Sequence, residues 1–133
     1  MNESIAVDLI HAVERGVEHH NRLQQWSLAR LLFARELGGV KTLSSPPFGL
    51  LRIASATPPE IDGIPTNVRI FDDNVAQFDP SRWDTTKRPD IVGISCTTAA
   101  QYRAEYLIRE AQRREIQVVL GGPHTSVDTQ SAL

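Results

Sequence analysis

The stretch DIVGISCTTAAQYRAEYLIREAQRREIQVVLGG, residues 90–122, decides the fold predicted for this chain. Its first apolar segment, Ile91–Ser95, is rich in β-branched residues and lacks polar alternation, which is typical of a parallel strand covered on both faces. The last apolar segment, Ile116–Leu120, has the same character, and an amphipathic helix is predicted between them. Two parallel strands joined by a helix make a right-handed βαβ crossover. We therefore predict an α/β domain with a Rossmann-like open parallel sheet flanked by helices.

The helix between these strands begins at a predicted capping box. In that motif, Thr98 and Gln101 satisfy backbone amides at the helix start. An apolar stripe with helical spacing is expected to face the sheet: Ala100, Ala104, Leu107, Ile108 and Ala111. The charged residues of the segment are predicted to lie largely on the solvated side. They are Arg103, Glu105, Arg109, Arg113 and Arg114.

Two further elements precede this unit. Val68–Phe71 is a predicted strand that stops at the cluster Asp72-Asp73-Asn74, which favours a turn. Phe48–Ala56 lies between two proline pairs, and its small and aliphatic residues suit a short helix packed on the sheet. Short apolar segments separated by turn residues are typical of an α/β domain.

The first third of the chain differs in composition, since none of the eight prolines precedes Pro46. Apolar residues recur there at every fourth position: Ile5, Leu9, Val13 and Val17. This spacing predicts one stripe of a helix, and a second helical run is predicted over residues 23–37. We therefore predict a helical amino-terminal segment over residues 1–39. Residues 40–133 are predicted to form a partial α/β domain that has no convincing first strand and lacks the last one.

Composition narrows the range of functions. The 133 residues include 14 Lys and Arg against 16 Asp and Glu, a net charge of -2, which leaves no excess positive charge for nucleic acid. The single cysteine, Cys96, rules out an intrachain disulfide and any cysteine-only zinc or iron–sulfur site within this chain. No apolar stretch reaches the length of a membrane span. The amino terminus lacks the basic and apolar regions of a signal peptide. A cytoplasmic protein without membrane or nucleic-acid partners is expected.

The candidate site follows from the predicted sheet, because open parallel sheets bind ligands at the carboxyl ends of their strands. The residues that follow the predicted strands are Asp72, Ser95, Thr97, Thr98, Gly121, Gly122, Pro123 and His124. Hydroxyls beside a helix start suit a phosphate or ribose, and glycines let a bulky group approach the backbone. Asp72 either accepts from a ribose hydroxyl or caps a turn, and the glycine pair is either a ligand cradle or a structural turn.

Four segments in this order resemble one family. They are Pro46–Leu51 (PPFGLL), Val68–Asp72 (VRIFD), Pro89–Ser95 (PDIVGIS) and Val118–His124 (VVLGGPH). Together they look like the cobalamin-binding domain of cobalamin-dependent radical SAM proteins. The resemblance covers about residues 46–133, and the GGPH element with the preceding DIVGIS strand is its most specific part.

The resemblance implies a Rossmann-like sheet that holds cobalamin at its carboxyl edge. On this analogy Ser95 and Thr97 face the nucleotide tail, Gly121 and Gly122 flank it, and Phe48-Gly49 lies near the corrin. The family's Asp-x-His-x-x-Gly motif is absent, so no residue is assigned as a ligand of the metal. The cysteines of the radical SAM catalytic domain are absent too, so no iron–sulfur cluster is expected in this chain.

Three functions remain open at this point. The leading hypothesis is a corrinoid-binding module, either part of a radical SAM protein or a free-standing relative, without catalytic activity alone. The alternative is a degenerate α/β domain that serves as an interaction or oligomerisation module. The third is an enzyme that uses Cys96 or His124. The expected partners are accordingly a radical SAM catalytic domain or a second copy of the chain.

Overall fold

A computed structural model describes residues 4–14, 46–85 and 88–127 of the chain. These residues include five strands: β1 (Ile5–His11), β2 (Glu60–Ile61), β3 (Ile64–Asp72), β4 (Ile91–Ser95) and β5 (Gln117–Gly121). Their order in the sheet is β2-β3-β1-β4-β5. β1 is parallel to β3 and β4, β4 is parallel to β5, and β2 runs antiparallel to β3. The predicted Rossmann-like α/β fold is confirmed.

Helices lie between the strands and after the last of them: α1 (Phe48–Ala56), α2 (Arg82–Thr85), α3 (Gln101–Gln112) and α4 (Pro123–Val127). The helix predicted after Pro46-Pro47 is confirmed, as is the βαβ unit. The predicted capping box is wrong, because a 3-10 turn precedes α3 and no side chain caps either start. The Gln101 side chain instead donates from Nε2 to Glu105 Oε1 at 3.2 Å. Within the described ranges, none of the helices has the length and apolarity needed to cross a membrane.

The main hydrophobic core lies between α3 and one face of the sheet. It includes residues of the central strands, of α3 and of the segment that joins β3 to β4: Ile10, Val92, Ile94, Leu107, Ala111, Phe78 and Trp83. Side chains alternate along a strand, so Leu9 points to the opposite face. There α1 contacts β1 and β3 and buries Leu50. The central strand β1 thus has buried residues on both faces.

The prediction of a helix over Ile5–Val17 is wrong for its first part, since Ile5–His11 forms β1 between β3 and β4. A central parallel strand is buried on both faces, so its apolar residues need not alternate and can match a helical spacing. The helix predicted over residues 23–37 and the short segment Val40–Leu43 lie outside the described residues. After β5 the described residues add no strand to the sheet. Residues 128–133 are not among the described residues.

Asp8 is a fully buried carboxylate in the middle of β1. Arg69, its register partner on β3, donates to both oxygens, from Nε at 2.6 Å and from Nη2 at 3.0 Å. Trp83 Nε1 also donates to Oδ2, at 3.0 Å. A buried charge is strongly unfavourable when it loses its partner. The pair therefore favours this register of β1 against β3, and it holds Trp83 against the sheet.

We predict that Arg69→Ala lowers the free energy of unfolding by about 3–5 kcal/mol, because it leaves the Asp8 carboxylate buried without a cation. Urea unfolding followed by circular dichroism measures this change. The matched control is Arg52→Ala on α1, whose side chain is exposed and which should change stability little. Equal losses in the two variants would show that the Asp8–Arg69 pair is not a special contributor to stability.

Candidate functional site

The carboxyl ends of the parallel strands bring four residues into one row. Asp72 of β3 is opposite His11 of β1, His11 is opposite Ser95 of β4, and Ser95 is opposite Gly121 of β5. Register partners on parallel strands direct their side chains to the same face of the sheet. These four residues are called the carboxyl-edge row below. Asp72, Ser95 and Gly121 are predicted site residues, and the structure places them beside one another.

The row crosses the point where the strand order reverses. From β1 the chain goes to β3 on one side, and it later returns to β4 on the other side of β1. In open α/β sheets, the crevice at such a point is where ligands bind. His11 and Ser95 end the two strands that border this crevice.

His11 is a site residue that sequence reasoning missed, since it falls in the segment predicted to be helical, residues 1–39. Its Nδ1 lies 3.1 Å from Asp72 Oδ1, and Asn74 Nδ2 lies 3.4 Å from the same nitrogen. A carboxylate only accepts hydrogen bonds, so Nδ1 is the donor in the contact with Asp72. The side chains of His11 and Asp72 are only 19% and 14% exposed. This histidine is therefore oriented by Asp72 at the edge of the crevice.

Asp73, the next residue, is fully buried and ties the loops of this edge together. Its carboxylate accepts from Arg103 Nε at 2.8 Å, from the Phe78 amide at 2.7 Å and from the Val13 amide at 3.3 Å. Its own amide donates to the His11 carbonyl at 3.1 Å. The prediction that Arg103 lies on the solvated side of the helix is wrong, because its side chain is 8% exposed and ion-paired with Asp73. The buried pair holds the end of β1 against α3.

The two glycines after β5 have different roles. Gly122 has φ +103°, and a Cβ there would lie 2.6 Å from the Cys96 carbonyl oxygen, so the backbone itself requires glycine. A Cβ on Gly121 would meet nothing within 4 Å among the described residues. Gly121 is held in the sheet because its carbonyl accepts from the Cys96 amide at 3.0 Å. The structural interpretation therefore fits Gly122, whereas Gly121 leaves open space beside Ser95.

The segment after β4 has exposed hydroxyl groups and a buried thiol. Thr97 and Thr98 are exposed, and they lie at the turn that leads into α3. Cys96 is 3% exposed, and its Sγ donates to the Thr97 carbonyl at 3.0 Å. Burial raises the pKa of the Cys96 thiol, and the nearby Glu105 carboxylate adds to this effect. A protonated and buried thiol is a poor nucleophile.

The remaining predicted site residues lie on two helices. Phe48 and Gly49 begin α1, and Phe48 is 64% exposed. The end of α1 leads within a few residues into β2 and the start of β3, so Phe48 lies at the end of α1 nearer the carboxyl edge. Pro123 is the first residue of α4, where proline is tolerated because no helical amide is lost. His124 follows it in α4, but its side chain lies outside what the structure describes.

This arrangement combines an oriented imidazole, hydroxyls and an open glycine along one edge of a sheet. In the parts of the chain that the structure describes, no three His, Cys, Asp or Glu side chains form a group that could hold a metal ion. Comparison of the chain with family models, curated proteins and solved structures finds no significant match. The row suits hydrogen bonding to a polar ligand that lies across the strand ends.

We predict that iodoacetamide alkylates Cys96 far more slowly in the folded protein at neutral pH than in urea. The reason is that the folded thiol is buried and its pKa is raised. Mass spectrometry of quenched time points gives both rates. A folded rate equal to the unfolded rate would mean that the thiol is accessible and reactive, and it would favour a chemical role for Cys96.

Proposed function

We propose that this domain binds a corrinoid, with cobalamin as the ligand, and that it performs no chemistry alone. The observation that carries the proposal is the carboxyl-edge row, with open space at Gly121, beside the crevice where the strand order reverses. The sequence resemblance to the cobalamin-binding domain of radical SAM proteins names the ligand. A radical SAM catalytic domain, in the same or another chain, is the partner that this resemblance implies.

The residues present fit the polar tail of such a ligand. Ser95 projects a hydroxyl from the row, and Thr97 and Thr98 add two more in the exposed turn that follows. Side-chain hydroxyls and backbone amides are the usual donors to phosphate and ribose oxygens. Gly121 next to Ser95 lets a chain of atoms pass close to the sheet, since none of the described residues comes within 4 Å of where its Cβ would lie.

Apolar surface at the same end suits the flat macrocycle. Phe48 is a largely exposed aromatic residue at the start of α1. A ring of this kind contributes apolar area to a partner that stacks on it. When bound, cobalamin supplies the reactivity of its cobalt centre. In this proposal the chain's own residues bind and orient the group, and they supply no ligand to the metal.

The other two hypotheses, an enzyme and an interaction module, differ in the support that the structure gives them. An enzyme that uses Cys96 has no support from the geometry, since the thiol is buried, and the His124 side chain lies outside what the structure describes. An interaction or oligomerisation module is favoured by one specific observation: in the sheet that the described residues form, the outer side of β5 carries no further strand. That edge is compatible with corrinoid binding, because it lies along β5 and not at the carboxyl ends of the strands.

We predict that hydroxocobalamin co-elutes with the protein in gel filtration and changes its absorbance spectrum on binding. Gly121→Val should weaken the affinity at least about tenfold, or ~1.4 kcal/mol, because the branched side chain fills the open space beside Ser95. Gly122 is a poorer choice for this test, because any side chain there collides with the Cys96 backbone.

The matched control is Ala56→Val, which adds a branched side chain at the exposed last residue of α1. Wild-type affinity is expected for this variant, and thermal unfolding should show that both variants are folded. No spectral change and no co-elution with the wild-type chain would refute corrinoid binding. Unchanged affinity in Gly121→Val would show that the ligand lies elsewhere.

A further inference from the structure

The two edges of the sheet differ in how they are protected. One edge is β2, which is only two residues long, follows Pro58-Pro59 and pairs Glu60 with Pro65. Very short strands, charge and proline are devices that prevent an edge from pairing with another chain. The other edge is β5, which has five residues, no charge and no proline. Among the described residues, one edge is thus blocked and the other is left unpaired.

The backbone groups that β5 directs outward can be identified. The Gly121 carbonyl accepts from the Cys96 amide, so Gly121 faces β4. In a parallel strand, the amide and carbonyl of one residue point to the same side and successive residues alternate. Val119 therefore also faces β4, whereas Val118 and Leu120 direct their amides and carbonyls away from it. In the sheet formed by the described residues, no strand lies on that outer side.

An apolar side chain is exposed at the centre of the same strand. Val119 is 59% exposed, although it lies in the middle of a strand. Its register partner is Gly93, which carries no side chain to cover it. The described contacts of α1 on this face of the sheet are with β1 and β3. Pairing that brings another apolar residue against Val119 would remove this surface from water.

We propose that β5 pairs antiparallel with β5 of a second copy of this chain, around a two-fold axis at Val119. In this register, Val118 of each copy is opposite Leu120 of the other, and their outward amides and carbonyls make four hydrogen bonds. Val119 then lies opposite Val119 of the second copy, where side chains come closest. No charged residue occurs in β5, so a self-pairing strand meets no like charge. Such two-fold, self-complementary contacts are the commonest form of homodimer.

Disulfide trapping tests this register. In Val119→Cys, the two cysteines are on a closely spaced antiparallel pair with Cα atoms about 4.5 Å apart, within the range that a disulfide spans. In the matched control Gln117→Cys, also exposed and on the same face, residue 117 is opposite 121, so the two cysteines lie roughly 13 Å apart. We expect mild oxidation to give a covalent dimer of Val119→Cys and none of Gln117→Cys. The native Cys96 is buried, and the wild-type chain serves as its control.

Solution mass provides the second readout. The wild-type chain should show twice 14.8 kDa by light scattering, and Val119→Lys should show the monomer mass because two lysines then oppose each other at the axis. Val75→Lys places the same change at a position that is 82% exposed and off the edge, and it should remain dimeric. A monomeric wild-type chain, a dimer that survives Val119→Lys, or equal trapping of both cysteine variants would overturn the proposal. None of these results depends on corrinoid binding.

Discussion

The buried Asp73 carboxylate is the interaction on which the carboxyl edge depends. It joins the loop after β1 through Val13, the turn after β3 through Phe78, and α3 through Arg103. Each of these three residues belongs to an element that borders the site. Without the Arg103 cation the carboxylate would be a buried, unpaired charge, which strongly destabilises the fold. Its contacts therefore act together, and the His11 carbonyl is held by the same residue's amide. The β1 and β3 ends of the carboxyl-edge row are held by this one charge and its donors.

The close contact of Gly122 with the Cys96 backbone is the second constraint at this edge. It keeps β5 tight against β4, and it leaves no room for a side chain at that position. Gly121 differs, because a Cβ there would meet no described atom within 4 Å. A glycine pair that looks like one motif in sequence thus divides into a structural residue and a residue beside which a ligand fits. This division makes Gly121 the more informative position for mutagenesis.

Sequence reasoning succeeded where the signal is local and failed where it is not. The βαβ unit over residues 90–122 was predicted because its strands, helix and turns follow one another directly. β1 was missed because it is buried on both faces and carries Asp8, whose partners Arg69 and Trp83 lie far along the chain. His11 was missed for the same reason, since Asp72 is 61 residues away. Arg103 matched a solvated pattern because nothing in its own helix reveals the buried Asp73.

The two proposed surfaces make different demands on the sheet, and both can be met at once. Antiparallel pairing of β5 around Val119 points the strands of the two copies in opposite directions. The carboxyl edges of the two sheets therefore lie at opposite ends of the dimer, and the crevice between β1 and β4 in each copy is away from the paired strands. Gly121 is at the end of the paired segment, where Gln117 of the second copy is opposite it, while its own backbone groups face β4. Association through β5 thus adds a continuous sheet without closing the crevice beside His11 and Ser95.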